Sequence, residues 1–83
     1  MLVEPVVTLY TRAGCCLCDE AKKVLNAAAR RARFRLEEID IDADGALRAR
    51  YNDEIPVIAI NGVKAFQYEV NMEEFLKRLA ARA

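Results

Sequence analysis

The sequence contains no histidine, and this absence removes a large group of mechanisms. Its 83 residues include neither histidine nor tryptophan. Nucleophile pairs that use imidazole as a base, and metal sites with histidine ligands, are therefore excluded. The chemistry that remains belongs to thiols, carboxylates, lysine and tyrosine.

The chain also lacks an excess of charge of either sign and a long apolar run. Lys plus Arg and Asp plus Glu both number 13, so the formal net charge is zero, whereas a dedicated nucleic-acid binder is normally basic. Four arginines do cluster in residues 30–35, at the expected end of a helix, where the helix dipole favours cations. The longest uncharged run, Ile55–Val63, is far shorter than the ~20 apolar residues of a membrane span. We expect neither a nucleic-acid nor a membrane partner.

The length predicts a single domain over residues 1–83, because small domains begin at about this size. The segment Met1–Pro5 has no basic region ahead of an apolar one, so we expect no secretory signal and a cytoplasmic location. The three cysteines, at positions 15, 16 and 18, are too few and too crowded for the disulfide framework of a secreted domain. They point to thiol chemistry or to a metal.

The hydrophobic pattern alternates between strand and helix periods. β-Branched and aromatic runs predict strands, stripes with a spacing of three and four predict helices, and Asn61-Gly62 is typical of a two-residue hairpin turn. The expected strands are Val6–Tyr10, Phe34–Ile41, Pro56–Ile60 and Val63–Phe66; the expected helices are Leu17–Ala32, a short one capped by Asp42 or Asp44 that ends near Tyr51, and one after Asn71 that carries Met72, Phe75, Leu76, Leu79 and Ala80. The order β-α-β-α-β-β-α predicts an α/β fold with a four-stranded mixed sheet and helices on both faces.

Cys15 and Cys18 lie where the first strand passes into the first helix. Residues three apart on a helix share a face about 5 Å apart, which a disulfide tolerates, so these two thiols can bridge, whereas Cys16 points about 100° away from Cys15. Unpaired N–H groups and the helix dipole favour a thiolate at a helix N-terminus. The pattern indicates a dithiol–disulfide exchange site with Cys15 attacking and Cys18 resolving.

Other interpretations of the cysteines remain open. Cysteine can be a small apolar residue, and structural zinc would have to recruit carboxylates because the chain has no histidine and no second C-x-x-C pair. The alternative to an enzyme is a binding module: a redox-inactive protein that carries a soft metal or an iron–sulfur cluster on Cys15 and Cys18.

Several of these features together resemble the glutaredoxin-like branch of the thioredoxin superfamily. The resemblance rests on the first strand, the run Thr11–Cys18, the tripeptide Ile55-Pro56-Val57 before the hairpin, and the order of elements over nearly the whole chain. It is similar in particular to a small bacterial group with the motif Gly-Cys-x-Leu-Cys. The resemblance implies a thioredoxin-like fold and a thiol–disulfide oxidoreductase without a bound organic cofactor or metal.

The resemblance also implies roles for individual residues. Cys15 would be the nucleophile and Cys18 the resolving thiol, with a cis Ile55–Pro56 bond beside them, and Ile55 would offer its backbone to the bound thiol substrate. Arg12 stands where glutaredoxins commonly place a cation for the glutathione carboxylate; the alternative is a solvated loop charge.

Two differences from the family pattern predict weak glutathione binding. The stretch Ala65–Val70 lacks the usual Gly-Gly pair, and Asp53 and Glu54 stand where a cation often helps to hold glutathione, so their charges oppose an anionic ligand. We therefore expect a monomer that acts on a protein or small-molecule disulfide and uses glutathione poorly.

Overall fold

A central strand pairs with neighbours on both sides to form the sheet that carries the rest of the molecule. The structure, a computed structural model, describes residues 4–82; Met1–Val3 and Ala83, which belong to the expected domain, lie outside the described residues. The elements are β1 (Val6–Thr11), α1 (Cys16–Ala28), β2 (Arg35–Asp40), a 3-10 helix (Ile41–Ala43), α2 (Gly45–Tyr51), β3 (Val57–Ile60), β4 (Val63–Gln67) and α3 (Met72–Arg82).

The sheet has the order β2-β1-β3-β4. β1 is parallel to β2 and antiparallel to β3, and β3 and β4 form an antiparallel hairpin. At the hairpin turn Asn61 and Gly62 have φ angles of 50° and 84°, which fits the turn type favoured by right-handed strand twist. The predicted α/β architecture with a four-stranded mixed sheet is confirmed.

Alternate side chains of the strands enter two separate cores, because successive residues of a strand point to opposite faces. On one face α1 and α3 cover the larger core, which consists of Val7, Leu9, Ala21, Leu25, Ala28, Ile58, Ile60, Phe75 and Leu79. On the other face α2 covers a smaller core of Ile41, Tyr51 and Val57. Helices therefore lie on both faces, as predicted.

Side chains at the predicted positions cap the two shorter helices. Asp44 Oδ1 accepts the N–H groups of Ala46 and Leu47 at 2.9 and 3.3 Å, so Asp44 rather than Asp42 is the N-cap of α2. At the start of α3, Asn71 Oδ1 accepts the N–H of Glu74 at 3.1 Å. Both caps satisfy donors that a helix terminus leaves unpaired.

The first helix ends earlier than its apolar stripe predicts. α1 stops at Ala28, its last turn contains no basic residue, and the four arginines of residues 30–35 lie in the turn that follows and at the start of β2. Phe34 packs edge-on against Phe75, with ring centroids 5.4 Å apart, and the chain must leave the helix axis to bring this ring over the core. The first two arginines directly follow the helix C-cap, so the cluster adjoins the C-terminus of α1, as predicted, although none of its members lies within the last turn.

Within residues 4–82, no helix combines the length and the apolar character that a bilayer crossing requires.

Candidate active site

Cys15 is the N-cap of α1. Its backbone is extended, with φ −90° and ψ 115°, and its Sγ accepts the N–H of Cys18 at 3.3 Å. Gly14 precedes it with a φ of 80°, a left-handed conformation that glycine adopts without strain. The half-buried sulfur of Cys15 thus faces the unpaired N–H groups at the start of the helix, where an anion is stabilised.

Cys18 lies one helical turn further on and is buried, with 1% of its surface exposed. Burial is the main cause that raises the pKa of the Cys18 thiol, and its hydrogen bond with Cys15 raises the pKa further. Hydrogen bonds with the Thr11 side chain and the Arg12 backbone act in the opposite direction. The two predicted thiols are therefore in direct contact, and Cys18 is biased toward its protonated form.

Cys16 is the most exposed of the three cysteines. It is the first residue of α1, and the hydrogen bond of this motif joins Cys15 to Cys18 without it. The neighbouring Leu17 is also exposed, at 45%. The assignment of Cys15 and Cys18 as the working pair stays a prediction.

The Ile55–Pro56 bond is cis, as the family pattern implied. Tyr10 pairs with Val57 in the β1–β3 ladder, so one further step along the two strands brings Pro56 opposite Thr11. Because Thr11 contacts the Cys18 thiol, the proline and the dithiol share one end of the sheet. Ile55 packs on the smaller core, and the role of its backbone in substrate binding stays a prediction.

Arg12 lies beside the cysteines in the chain, but its side chain turns toward other partners. Nε and Nη2 donate to the two carboxylate oxygens of Asp42, each at 2.9 Å, and Nη2 also donates to Asn52 Oδ1 at 2.7 Å. The hydrogen bonding between Arg12 and Asp42 lowers the pKa of the Asp42 carboxyl and raises the pKa of the Arg12 guanidinium. Arg12 is thus not a free solvated charge, and its contact with a glutathione carboxylate stays a prediction.

The acidic pair before the cis proline has contacts that the sequence did not indicate. Glu54 accepts from Lys64 Nζ at 3.1 Å, which offsets part of its charge. The hydroxyl of Tyr68 donates to the backbone carbonyl of Asp53 at 2.9 Å, and the Tyr68 N–H donates to the Pro56 carbonyl at 2.8 Å. Tyr68 therefore links the segment after β4 to the segment that carries the cis proline.

Sequence reasoning did not find four residues of this region: Thr11, Asp42, Asn52 and Tyr68. Each is distant in the chain from the group that it contacts, or is of a common type for its element, so no local pattern marks it.

Within residues 4–82 no group of three or more cysteine, aspartate or glutamate side chains is placed to hold a metal ion.

A family model described as a glutaredoxin-like domain (DUF836) matches residues 6–80. The chain belongs to this glutaredoxin-like family. One relative is the glutaredoxin-like protein YDR286C homolog of Dictyostelium discoideum, which is 28% identical over 82% of this chain and 68% of its own length.

Solved structures show the fold. The structural-genomics target XcR50 from X. campestris has 30% identity and a TM-score of 0.75, over 93% of this chain and 99% of its own. A thioredoxin from Halobacterium salinarum has 15% identity and a TM-score of 0.73, over 95% of this chain and 74% of its own. This glutaredoxin-like protein therefore has the thioredoxin-like fold, and its family is of the thiol-oxidoreductase-like kind.

Proposed function

We propose that this glutaredoxin-like protein is a dithiol–disulfide oxidoreductase that works through Cys15 and Cys18. The observation that carries the proposal is the contact between the two residues: the Cys15 sulfur accepts the Cys18 N–H at 3.3 Å while the Cys18 thiol is buried directly behind it. Cys15 can therefore react with a substrate, whereas Cys18 can react only with Cys15.

The first step is the attack of the Cys15 thiolate on one sulfur of a substrate disulfide. A bond forms between Cys15 and that sulfur, the substrate disulfide breaks, and the other substrate sulfur leaves as a thiolate and takes up a proton. Cys18 stays out of this step, because burial keeps its thiol protonated and away from solvent.

The second step is the attack of Cys18 on the Cys15 sulfur. Cys18 gives up its proton, the Cys15–Cys18 disulfide forms, and the second substrate sulfur leaves and is protonated. The substrate has then gained two electrons and two protons from the protein dithiol. An external thiol reductant restores the dithiol by the same exchange in reverse, so the cycle needs no bound organic cofactor.

Cysteine variants test this division of roles. With hydroxyethyl disulfide as substrate, Cys15→Ser should abolish reduction and form no adduct, whereas Cys18→Ser should accumulate a mixed disulfide on Cys15 that intact mass spectrometry detects. Cys16→Ser is the matched control and should retain turnover, because its side chain lies outside the pair.

Two results would overturn the proposal. The first is a Cys16→Ser variant as inactive as Cys15→Ser, which would place the adjacent pair at the centre of the site. The second is purified protein that holds stoichiometric iron or another soft metal on its thiols and reduces no disulfide, which would favour the carrier function instead.

A further inference from the structure

An open groove of about 530 Å³ begins at the first turn of α1. One wall is a stripe of α1 and the other is formed by the end of β4 and the segment before α3; its apolar lining residues are Leu17, Ala21, Val24, Phe66, Tyr68 and Val70. Leu17 stands between Cys16 and Cys18 in the chain, and the Tyr68 N–H donates to the Pro56 carbonyl at 2.8 Å. The groove therefore lies toward the end of the sheet that carries the dithiol, although neither Cys15 nor Cys18 is part of its lining. Leu17 and Tyr68 are each 45% exposed and stand on the two walls, so both leave apolar surface open to a ligand in the groove.

Tyr68 is held in the groove wall in a backbone conformation that costs free energy. Its φ is 69°, a left-handed value that is unusual for a bulky side chain, and the N–H of Glu69 donates across it to the Gln67 carbonyl at 2.8 Å. This three-residue turn with a positive φ is rare. The bonds from Tyr68 to Asp53 and Pro56 keep the ring in place. Strain that the surroundings maintain in this way is typical of binding sites.

The groove is acidic. Glu20 and Glu69 line it, and among residues 4–82 no lysine or arginine does. Glu20 pairs with Lys23 at 3.3 Å, whereas Glu69 has no ion-pair partner in the part of the chain that the structure describes. Arg78 packs over the Phe66 ring at 4.9 Å, but it donates to the Ala65 carbonyl and is not part of the lining.

We propose that this groove binds a polypeptide segment of the substrate protein, with an apolar side chain between Leu17 and Tyr68 and a lysine or arginine near Glu69. The proposal rests on the dithiol function and names its substrate class. The stripe from Leu17 to Val24 spans about 10 Å along α1, the length of about three extended residues. Glutathione is a poor occupant, because its carboxylates would face Glu20 and Glu69.

Two fluorescently labelled peptides test the groove separately from the redox chemistry. Each carries one leucine and a serine in place of the reactive cysteine, and they differ only in two flanking lysines or two flanking glutamates. At low salt the lysine peptide should bind about tenfold more tightly in fluorescence anisotropy, and roughly 0.5 M NaCl should reduce this ratio, because exposed charges are screened.

Charge reversal locates the binding surface. Glu69→Lys should remove or reverse the preference for the lysine peptide. Glu37→Lys makes the same change of charge on an exposed residue of β2, at the sheet edge opposite β4, and should preserve the preference. Tyr68→Gly removes the ring and relieves the strained φ, and should weaken binding of the lysine peptide while the protein stays folded.

The outcomes separate this proposal from the function on which it rests. Equal binding of the two peptides, or equal effects of Glu69→Lys and Glu37→Lys, overturns the proposal that the groove binds the peptide, even if hydroxyethyl disulfide is reduced normally. Tighter binding of glutathione than of the lysine peptide overturns it as well. Selective binding of the lysine peptide without reduction of any disulfide supports peptide binding in the groove and refutes the dithiol function.

Discussion

At the scale of single residues, the protein separates its two working thiols by their surroundings. Cys15 is half-buried at the helix start, whereas Cys18 is enclosed. Burial, followed by the hydrogen bond with Cys15, raises the pKa of Cys18 above the ordinary value of 9.0. A resolving thiol in its protonated form does not compete with Cys15 for the substrate disulfide, because the thiolate is the reactive species.

The raised pKa of Cys18 makes the stability of the reduced protein depend on alkaline pH. As the pH rises, the unfolded chain releases the Cys18 proton before the folded protein does. The contribution of the protonated thiol to the free energy of unfolding is therefore complete below pH 9.0, and it is lost as the pH rises through the pKa of Cys18 in the folded protein. The difference in free energy of unfolding between reduced native protein and Cys18→Ala should therefore narrow above that pH. Urea unfolding of both proteins between about pH 7 and pH 10 measures it. A difference that stays constant over this range would contradict the assignment.

At the scale of elements, most of the fold follows from short-range signals. Asn61-Gly62 predicts the hairpin because two consecutive left-handed residues suit few sequences, and Asp44 and Asn71 predict helix starts because their side chains accept N–H groups of the first turn. The end of α1 could not be predicted in this way. After this end the chain turns back to the sheet, where Phe34 contacts Phe75, and no local pattern indicates a contact between such distant segments.

Two glycines provide a matched test of the hairpin. Gly62 has a φ of 84° and Gly45 has no positive φ, and an added Cβ would meet nothing within 4 Å at either position. Gly62→Ala should lower the free energy of unfolding by about 1–2 kcal/mol, the cost of a left-handed conformation for a residue with a Cβ. Gly45→Ala, in the first turn of α2, should leave stability unchanged or raise it by up to about 1 kcal/mol. Equal effects in urea unfolding would show that the turn does not require glycine.

The loop before Cys15 is joined to two other elements through Arg12. Its guanidinium binds Asp42 in the 3-10 helix and Asn52 after α2, and its backbone carbonyl accepts the Cys15 N–H at 3.4 Å. The network therefore connects the position of the nucleophile to the sheet face that carries α2. The sequence could place Arg12 near the dithiol but could not show this network, since Asp42 and Asn52 are 30 and 40 residues away in the chain.

At the scale of the whole molecule, a neutral chain presents an acidic surface beside its dithiol. The 13 cations balance the 13 anions in number, but ion pairs engage two cations of this region: Arg12 binds Asp42 and Lys64 binds Glu54. Asp53 has no ion-pair partner among the described residues. The sequence could predict opposition to anions from Asp53 and Glu54 together, whereas the structure pairs Glu54 with Lys64 and leaves Asp53 with the longer-range attraction of Arg12.

This arrangement predicts that glutathione is a poor partner. Asp53 precedes the cis proline, and an exposed carboxylate at about 4–6 Å opposes an anion by up to roughly 1 kcal/mol. Glutathione-coupled turnover of the native protein should therefore saturate weakly, and Asp53→Lys should lower the KM for a glutathione mixed disulfide by about fivefold at low salt and by less in roughly 0.5 M NaCl. Glu37→Lys, with the same change of charge at the far sheet edge, should leave that KM unchanged. A native protein that already saturates at micromolar substrate, with no gain from Asp53→Lys, would show that the acidic surface does not exclude glutathione.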